Sequence, residues 1–152
     1  MGIDYRLPGK NIYLDANIFI YLLEGYHEFI PLLKQLFGKI DSGILHGITS
    51  ELTLAETLVK PMVDNNIPLQ KIYEETLQTS KLLHVAPIDR QILTTAAKLR
   101  TNTVRLPDAI HLATAHLNNC HAFLTNDKRL KTYSDINIIL LSDIKNLTLL
   151  TE

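Results

Sequence analysis

The chain has 152 residues, 46% of them hydrophobic and 20% charged, which is the composition of one globular domain and excludes a disordered chain. The formal net charge of −1 argues against a broad basic face for binding nucleic acid but leaves a local basic rim open. No stretch approaches the roughly 20 apolar residues of a membrane span, and the N-terminus lacks the apolar run of a secretory signal, so we expect a cytoplasmic protein.

The first half of the chain alternates strand and helix patterns. Five elements are predicted: a strand at 11–15, helical stretches at 18–23 and 29–37, a strand at 43–49 and a helix at 51–59. Ser50 is a natural N-cap for the last of these helices. Pro61, Asn65-Asn66 and Pro68 are expected to form the turn that follows.

The second half continues the alternation. The predicted elements are a helix at 68–82, a strand at 83–85, helices at 90–100 and 108–117, and strands at 121–125 and 136–141. Asp89 caps one helix, and Pro107 opens the next at a position where its missing N–H costs nothing. The lone cysteine, Cys120, excludes an internal disulfide and is interpreted as core filler.

Apolar strands that alternate with helices indicate a parallel sheet covered on both faces, an α/β sandwich. No repeat or linker divides the chain, so we expect a single domain over 1–152. Residues 1–10 are then an N-terminal extension and residues 142–152 a C-terminal tail, neither of which carries a motif.

Four acidic residues fall at similar places relative to the predicted strands. Asp15 interrupts the apolar run "IYLDANIFIY" where the first strand ends, and Asp127 follows the strand "HAFLT". Glu56 lies two turns into the helix after the second strand, and Asp108 is in the first turn of an apolar helix. Because sites in open α/β sheets form outside the carboxyl ends of the strands, these acids can converge on one edge.

Each acid also has a simpler interpretation. Asp108 could favour its helix dipole, Glu56 could pair with Lys60 one turn on, and Asp127 suits a turn. Asp15 is harder to dismiss, since a carboxylate rarely interrupts so apolar a run. Four converging carboxylates would repel one another unless a bound cation or protonation reduced their negative charge. Ligation by carboxylates alone suits Mg²⁺ or Mn²⁺.

Four segments of the chain resemble the PIN-domain ribonucleases, and most of all the VapC-type toxins of prokaryotic toxin–antitoxin pairs. They are "IYLDANIFIYLL", "ITSELTLAETL", "LPDAIHLATA" and "FLTNDKRL", in the family's order and spanning residues 12–130. The family's acids match Asp15, Glu56, Asp108 and Asp127. Its polar residue two positions after the first aspartate matches Asn17, and the threonine before its last acid matches Thr125.

The resemblance implies a PIN-like three-layer sandwich and metal-dependent, endonucleolytic hydrolysis of RNA with Mg²⁺ or Mn²⁺. Asp15 and Asp108 would ligate the metal, with Asp127 helping directly or through water. Glu56 would orient or deprotonate the attacking water or ligate a second ion. Asn17 and Thr125 would hold carboxylates in place, although capping of a strand end or helix start explains both equally well.

Other residues have weaker claims to a function. Arg105, Lys128, Arg129 and Lys131 flank two acid motifs and could contact RNA phosphates, but a solvated charged face is the commoner case. His111 is three residues after Asp108 and could share its helix face, although a satisfied or exposed histidine is commoner. It and His116, five apart, are poor joint ligands.

Partners are implied by the resemblance alone. VapC-type toxins generally form homodimers and are held inactive by a cognate antitoxin, so we expect an antitoxin and a homodimer. The aromatic side chains concentrated near the N-terminus could serve a partner surface, with core packing as the default. They are Tyr5, Tyr13, Phe19, Tyr21 and Phe29.

Two rival functions remain. A noncatalytic PIN-like module that binds RNA or protein would not need intact acids. An aspartyl-phosphate phosphoacceptor domain could use Asp15 at a strand end, but a haloacid-dehalogenase-like site needs a second aspartate where this chain has Asn17. A receiver-like site needs paired acids that are not apparent.

Overall fold

Five parallel strands form the central sheet of the computed structural model, which describes residues 10–133 and 135–144. The strands are β1 (Asn11–Leu14), β2 (His46–Ser50), β3 (Leu83–Ala86), β4 (Ala122–Thr125) and β5 (Asn137–Leu140). Their order is β3-β2-β1-β4-β5, and every neighbouring pair is parallel. The predicted parallel sheet is confirmed.

Helices cover both faces of this sheet. They are α1 (Ala16–Leu23), α2 (Ile30–Asp41), α3 (Glu51–Val63), α4 (Ile67–Thr76), α5 (Arg90–Leu99) and α6 (Leu106–Leu117). Two short 3-10 helices, Lys128–Thr132 and Leu141–Asp143, flank β5. The alternation of side chains along β1 separates two cores: Leu14 packs with residues of α1, α2 and α4, and Tyr13 with residues of α5 and α6. The expected three-layer sandwich is therefore present.

Several predicted boundaries differ from the structure, among them α2, which ends at Asp41 instead of 37, and β2, which begins at His46 instead of 43. Pro61 lies inside α3, which continues to Val63, because Pro61 is buried and tertiary packing offsets its missing N–H. α4 ends at Thr76, six residues early, and the loop after it is attached to β3 by a hydrogen bond from the backbone N–H of Val85 to the hydroxyl of Thr79 (3.0 Å). α1 begins directly after Asp15, two residues before its predicted start.

The simpler interpretation of most aromatic residues near the N-terminus is confirmed. Tyr13, Phe19 and Phe29 are buried in the core, and Tyr21 packs against it, whereas Tyr5 lies outside the described residues. Cys120 packs against the second core, where burial raises the pKa of its thiol to about 12.

The described residues include little of the expected terminal extensions. Of residues 1–10 only Lys10 is described, and of 142–152 only 142–144, where Ile144 is buried against the first core. Within the described part of the chain, no helix is long and apolar enough to cross a bilayer.

Candidate active site

The carboxyl ends of β1 and β4 meet at the centre of the sheet, where the strand order changes direction. β1 is followed along the chain by β2 and β3 on one side, while β4 and β5 lie on its other side. The backbone N–H of Asp15 donates to the carbonyl of Leu124 at 3.0 Å, which joins the two strand ends. This switch point is the usual position of a site in an open α/β sheet.

Asp15 caps helix α1 and is held on both carboxylate oxygens. Its Oδ1 accepts the backbone N–H of Ala16 at 2.8 Å, and its Oδ2 accepts the hydroxyl of Thr125 at 2.7 Å. The side chain is 13% exposed. Hydrogen bonds from the protein itself therefore stabilise this carboxylate in its apolar surroundings, and they fix its orientation toward the carboxyl edge.

Thr125 connects three of the predicted site residues. Its buried hydroxyl donates to Asp15 and accepts from the amide nitrogen of Asn17 (3.3 Å) and from the backbone N–H of Asp127 (3.1 Å). The amide oxygen of Asn17 in turn accepts the backbone N–H of Asn126 at 3.3 Å. Asn17 thus contacts Thr125 and the turn after β4, and it reaches the Asp15 carboxylate only through Thr125.

Asp127 and Asp108 share one basic partner, Arg129. The guanidinium donates to both oxygens of Asp127, from Nε to Oδ1 at 3.1 Å and from Nη2 to Oδ2 at 2.5 Å. Nη2 also lies 3.6 Å from Oδ2 of Asp108, in the first turn of α6. Asp127 additionally caps the 3-10 helix Lys128–Thr132, so its interpretation as a turn residue is also correct.

The closeness of these acids shifts their pKa values. Burial raises the pKa of Asp108, Arg129 lowers it, and the charges of Asp127 and Asp15 raise it further, with a net upward shift. The hydrogen bond from Arg129 lowers the pKa of Asp127 despite its partial burial. Asp15, Asp108 and Asp127 therefore lie close enough together for their charges to interact.

Glu56 joins the site through a histidine. Its Oε1 lies 2.5 Å from Nε2 of His111, and the same nitrogen is 3.8 Å from Oδ1 of Asp15. The other ring nitrogen, Nδ1, is 2.6 Å from the hydroxyl of Tyr13. Burial lowers the pKa of His111, but the hydrogen bond with Glu56 and the charge of Asp15 outweigh it, so the pKa is raised. Among the described residues, the pairing of Glu56 with Lys60 is not observed.

The contacts of His111 go beyond what the sequence indicated. It is a satisfied, buried histidine, as the simpler interpretation predicted, but its partners are Glu56 and Tyr13. The spacing from Asp108, one turn along the same helix, was the one sequence signal for this position. Nothing in the sequence pattern distinguished Tyr13 from an ordinary core aromatic.

The carboxylate ligands of the site suit a hard divalent cation, but Arg129 competes with a cation for two of them. Aspartate and glutamate oxygens are the ligands that Mg²⁺ and Mn²⁺ prefer, and the like charges around Asp108 are what a cation would relieve. In the part of the chain that the structure describes, however, no three acidic, histidine or cysteine side chains are arranged as ready metal ligands. Arg129 gives a physical reason, since its guanidinium is already paired with Asp127 and lies 3.6 Å from Asp108.

The basic residues lie beside the acids on one side. A cavity of about 310 Å³ is lined by Arg105 and Arg129 together with Asn102, Thr103 and Thr132. The charge of Arg105 contributes to the lowered pKa of Asp127, so Arg105 is within electrostatic reach of the acids. Lys128 and Lys131 are exposed on the 3-10 helix next to this cavity.

Comparison with known proteins identifies one family. The family model described as "PIN domain" matches residues 12–136. Among curated protein sequences, none matches the chain significantly.

Several solved structures share the fold at low sequence identity. A toxin–antitoxin complex from Klebsiella pneumoniae is 22% identical, with 88% of this chain and 99% of that chain covered and a TM-score of 0.65. VapBC2 from Rickettsia felis, bound to a DNA fragment from its promoter, is 14% identical, with 86% and 98% covered and a TM-score of 0.65. VapBC-5 from Mycobacterium tuberculosis is 19% identical, with 87% and 98% covered and a TM-score of 0.54. At these identities the likeness establishes the fold alone.

Proposed function

Because this chain belongs to the PIN domain family, we propose that it is a Mg²⁺- or Mn²⁺-dependent endoribonuclease and the toxin of a toxin–antitoxin pair. One observation carries the enzymatic part. Asp15, Asp108 and Asp127 come from three separate segments and are joined at the switch point of the sheet through Thr125 and Arg129, and His111 brings in a fourth acid, Glu56. A purely structural role does not require four acids at one edge.

Each residue of the site has its own role in the proposed reaction. Asp15 and Asp108 would hold the metal, with Asp127 helping directly or through water once Arg129 releases it. The bound metal would supply a water of lowered pKa and neutralise charge on the phosphoryl group. Glu56 would orient that water or accept its proton, or ligate a second ion. Thr125 keeps the Asp15 carboxylate in one orientation, and Asn17 supports Thr125.

Substrate binding would use the basic side of the site. Arg105, Lys128 and Arg129 lie next to the acids, and the two arginines line a cavity there. Phosphate oxygens of a nucleic acid strand suit such donors. Hydrolysis by water needs no 2′-hydroxyl, so the choice of RNA over DNA rests on the family resemblance. RNA as the substrate also implies a cytoplasmic location.

The partner part of the proposal is supported by the fold. The solved structures with this fold include a toxin–antitoxin complex and VapBC pairs. We propose a cognate antitoxin and a homodimer for this chain as well. Co-expression with the product of the neighbouring gene, followed by size-exclusion chromatography with light scattering, tests both.

One observation favours a second candidate, a noncatalytic PIN module that binds RNA or protein. Arg129 pairs with Asp127 and also lies 3.6 Å from Asp108, a compensation of negative charge that a site without a catalytic role could use. If so, RNA would bind without being cut.

The test is cleavage of a mixed RNA pool with Mg²⁺ or Mn²⁺ and then with EDTA, using a matched single-stranded DNA pool for comparison. Wild type is compared with Asp15→Asn and Asp108→Asn, and circular dichroism checks folding. Cleavage of RNA that needs metal and is lost in both variants supports the enzyme. A folded wild type that leaves RNA intact, with no thermal shift on adding Mn²⁺, supports the binding module.

A further inference from the structure

The side chain of Glu56 is unusually exposed for a residue that must act at a fixed point. It is 38% exposed and lies on α3. A glutamate in this position has several side-chain rotamers, so ordering it in one of them costs conformational entropy. Asp15, by contrast, is short and held by two hydrogen bonds. A separate contact is needed to keep Glu56 at the site.

His111 provides that contact. Its side chain is 3% exposed, and it lies on α6, across from α3. A carboxylate oxygen only accepts hydrogen bonds, so Nε2 of His111 is the donor to Oε1 of Glu56, whether the ring is neutral or charged. The same Nε2 lies 3.8 Å from Oδ1 of Asp15. One N–H thus sets the position of Glu56 relative to Asp15 and reduces the repulsion between the two acids.

Tyr13 fixes the ring from the other side. Its hydroxyl is 2.6 Å from Nδ1 of His111, and its own ring stacks on Phe123 with centroids 4.8 Å apart. Tyr13 is on β1 and Phe123 on β4, and both are fully buried. The imidazole is therefore anchored to the middle of the sheet, whereas its Nε2 faces the carboxyl edge.

We infer that His111, anchored by Tyr13, is the positioning residue that holds Glu56 for the proposed reaction. This inference rests on the proposed function. Hydrogen bonds of this kind behind reactive carboxylates typically change activity by about 10–100-fold when removed. One carboxylate oxygen of Glu56, Oε1, is engaged by His111, which leaves Oε2 for the role of Glu56 in the proposed reaction.

The test compares His111→Leu, His111→Gln and Tyr13→Phe with wild type and with Glu56→Gln. A glutamine amide can place an N–H close to the position of Nε2, whereas leucine cannot, although both fill the space. We expect His111→Leu to lower kcat for RNA cleavage by about 10–100-fold with little change in KM. His111→Gln should recover most of the lost kcat. The kcat of Tyr13→Phe should lie between those of wild type and His111→Leu.

A purely structural role for His111 would give a different result. Leucine and glutamine variants of equal stability would then have equal kcat, and that result would overturn the inference. The inference would also be overturned if His111→Leu left kcat within twofold of wild type while Glu56→Gln abolished cleavage.

A measurement on the metal-free protein separates this inference from the proposed function. In proton NMR of wild type, the Hε2 of His111 should give a downfield, slowly exchanging resonance that moves upfield in Glu56→Gln. If this resonance is absent, or does not respond to Glu56→Gln, the contact and the inference are wrong even for an active nuclease. If wild type cuts no RNA, the proposed function fails, and the positioning role fails with it.

Discussion

The hydroxyl of Thr125 donates to Oδ2 of Asp15 at 2.7 Å, between residues that are 110 positions apart in the sequence. This bond joins the end of β4 to the cap of α1 and orients the carboxylate that begins the site. The same hydroxyl accepts the backbone N–H of Asp127. Two of the acids thus depend on one buried side chain.

Replacing Thr125 by valine, which has nearly the same shape, should therefore damage the site. We expect RNA cleavage to fall by about 10–100-fold because Asp15 loses its orientation. The free energy of unfolding should fall by about 1–3 kcal/mol because the N–H of Asp127 loses its acceptor. Thr125→Ser keeps the hydroxyl and is the control. Equal activity of the serine and valine variants would show that the hydroxyl does not orient Asp15.

Arg129 should compete with metal. Its guanidinium contacts Asp127 and Asp108, the carboxylates that would also bind the metal ion. In Arg129→Gln we expect the Kd for Mn²⁺, measured by calorimetry on the metal-free protein, to decrease by roughly tenfold. Lys131→Gln removes an equal charge from the same 3-10 helix and should leave the Kd unchanged. Weaker Mn²⁺ binding in Arg129→Gln would contradict this prediction.

The pKa of Asp108 should respond to its acidic neighbour. Burial, together with the charges of Asp127 and Asp15, raises it, and Arg129 opposes the shift. In Asp127→Asn one negative charge is lost and Arg129 is released to pair with Asp108, and both changes favour the ionised form. The midpoint for Asp108 in carboxyl ¹³C NMR, without metal, should therefore be above that of an ordinary aspartate in wild type and lower in the variant. An unchanged midpoint would show that the two carboxylates do not interact.

A second buried hydrogen bond should matter for stability alone. Tyr73 on α4 is fully buried, and its hydroxyl donates to Oε2 of Glu24 at 2.5 Å. Tyr73→Phe should lower the free energy of unfolding in urea by about 1–2 kcal/mol, because Glu24 loses a charge-assisted bond. Cleavage should be unchanged, since Tyr73 belongs to the first core and the acids lie at the sheet edge. Tyr26→Phe, at an exposed position, is the control.

The sequence by itself determined most of the fold and indicated which acids belong to the candidate site. Apolar strands alternating with helices led to the parallel sheet, because side-chain periodicity reports which faces are buried. The local caps Ser50 and Asp89 were also correct, because capping depends on neighbours within a few residues. Where distant packing overrides local preference, as at Pro61, the predicted boundary was wrong.

Only the tertiary structure decided how the site is held. Side-chain contacts hold it together: Arg129 contacts Asp127 and Asp108, and Thr125 donates to Asp15. His111 lies between Glu56 and Tyr13. Most of these contacts join residues far apart in the chain. A hydrogen bond depends on distances of a few ångströms and on angles, and neither is encoded by sequence spacing once the partners lie on different elements. The sequence therefore supplied the chemical groups of the site, and the packing of α3 and α6 against the sheet decided which of them touch.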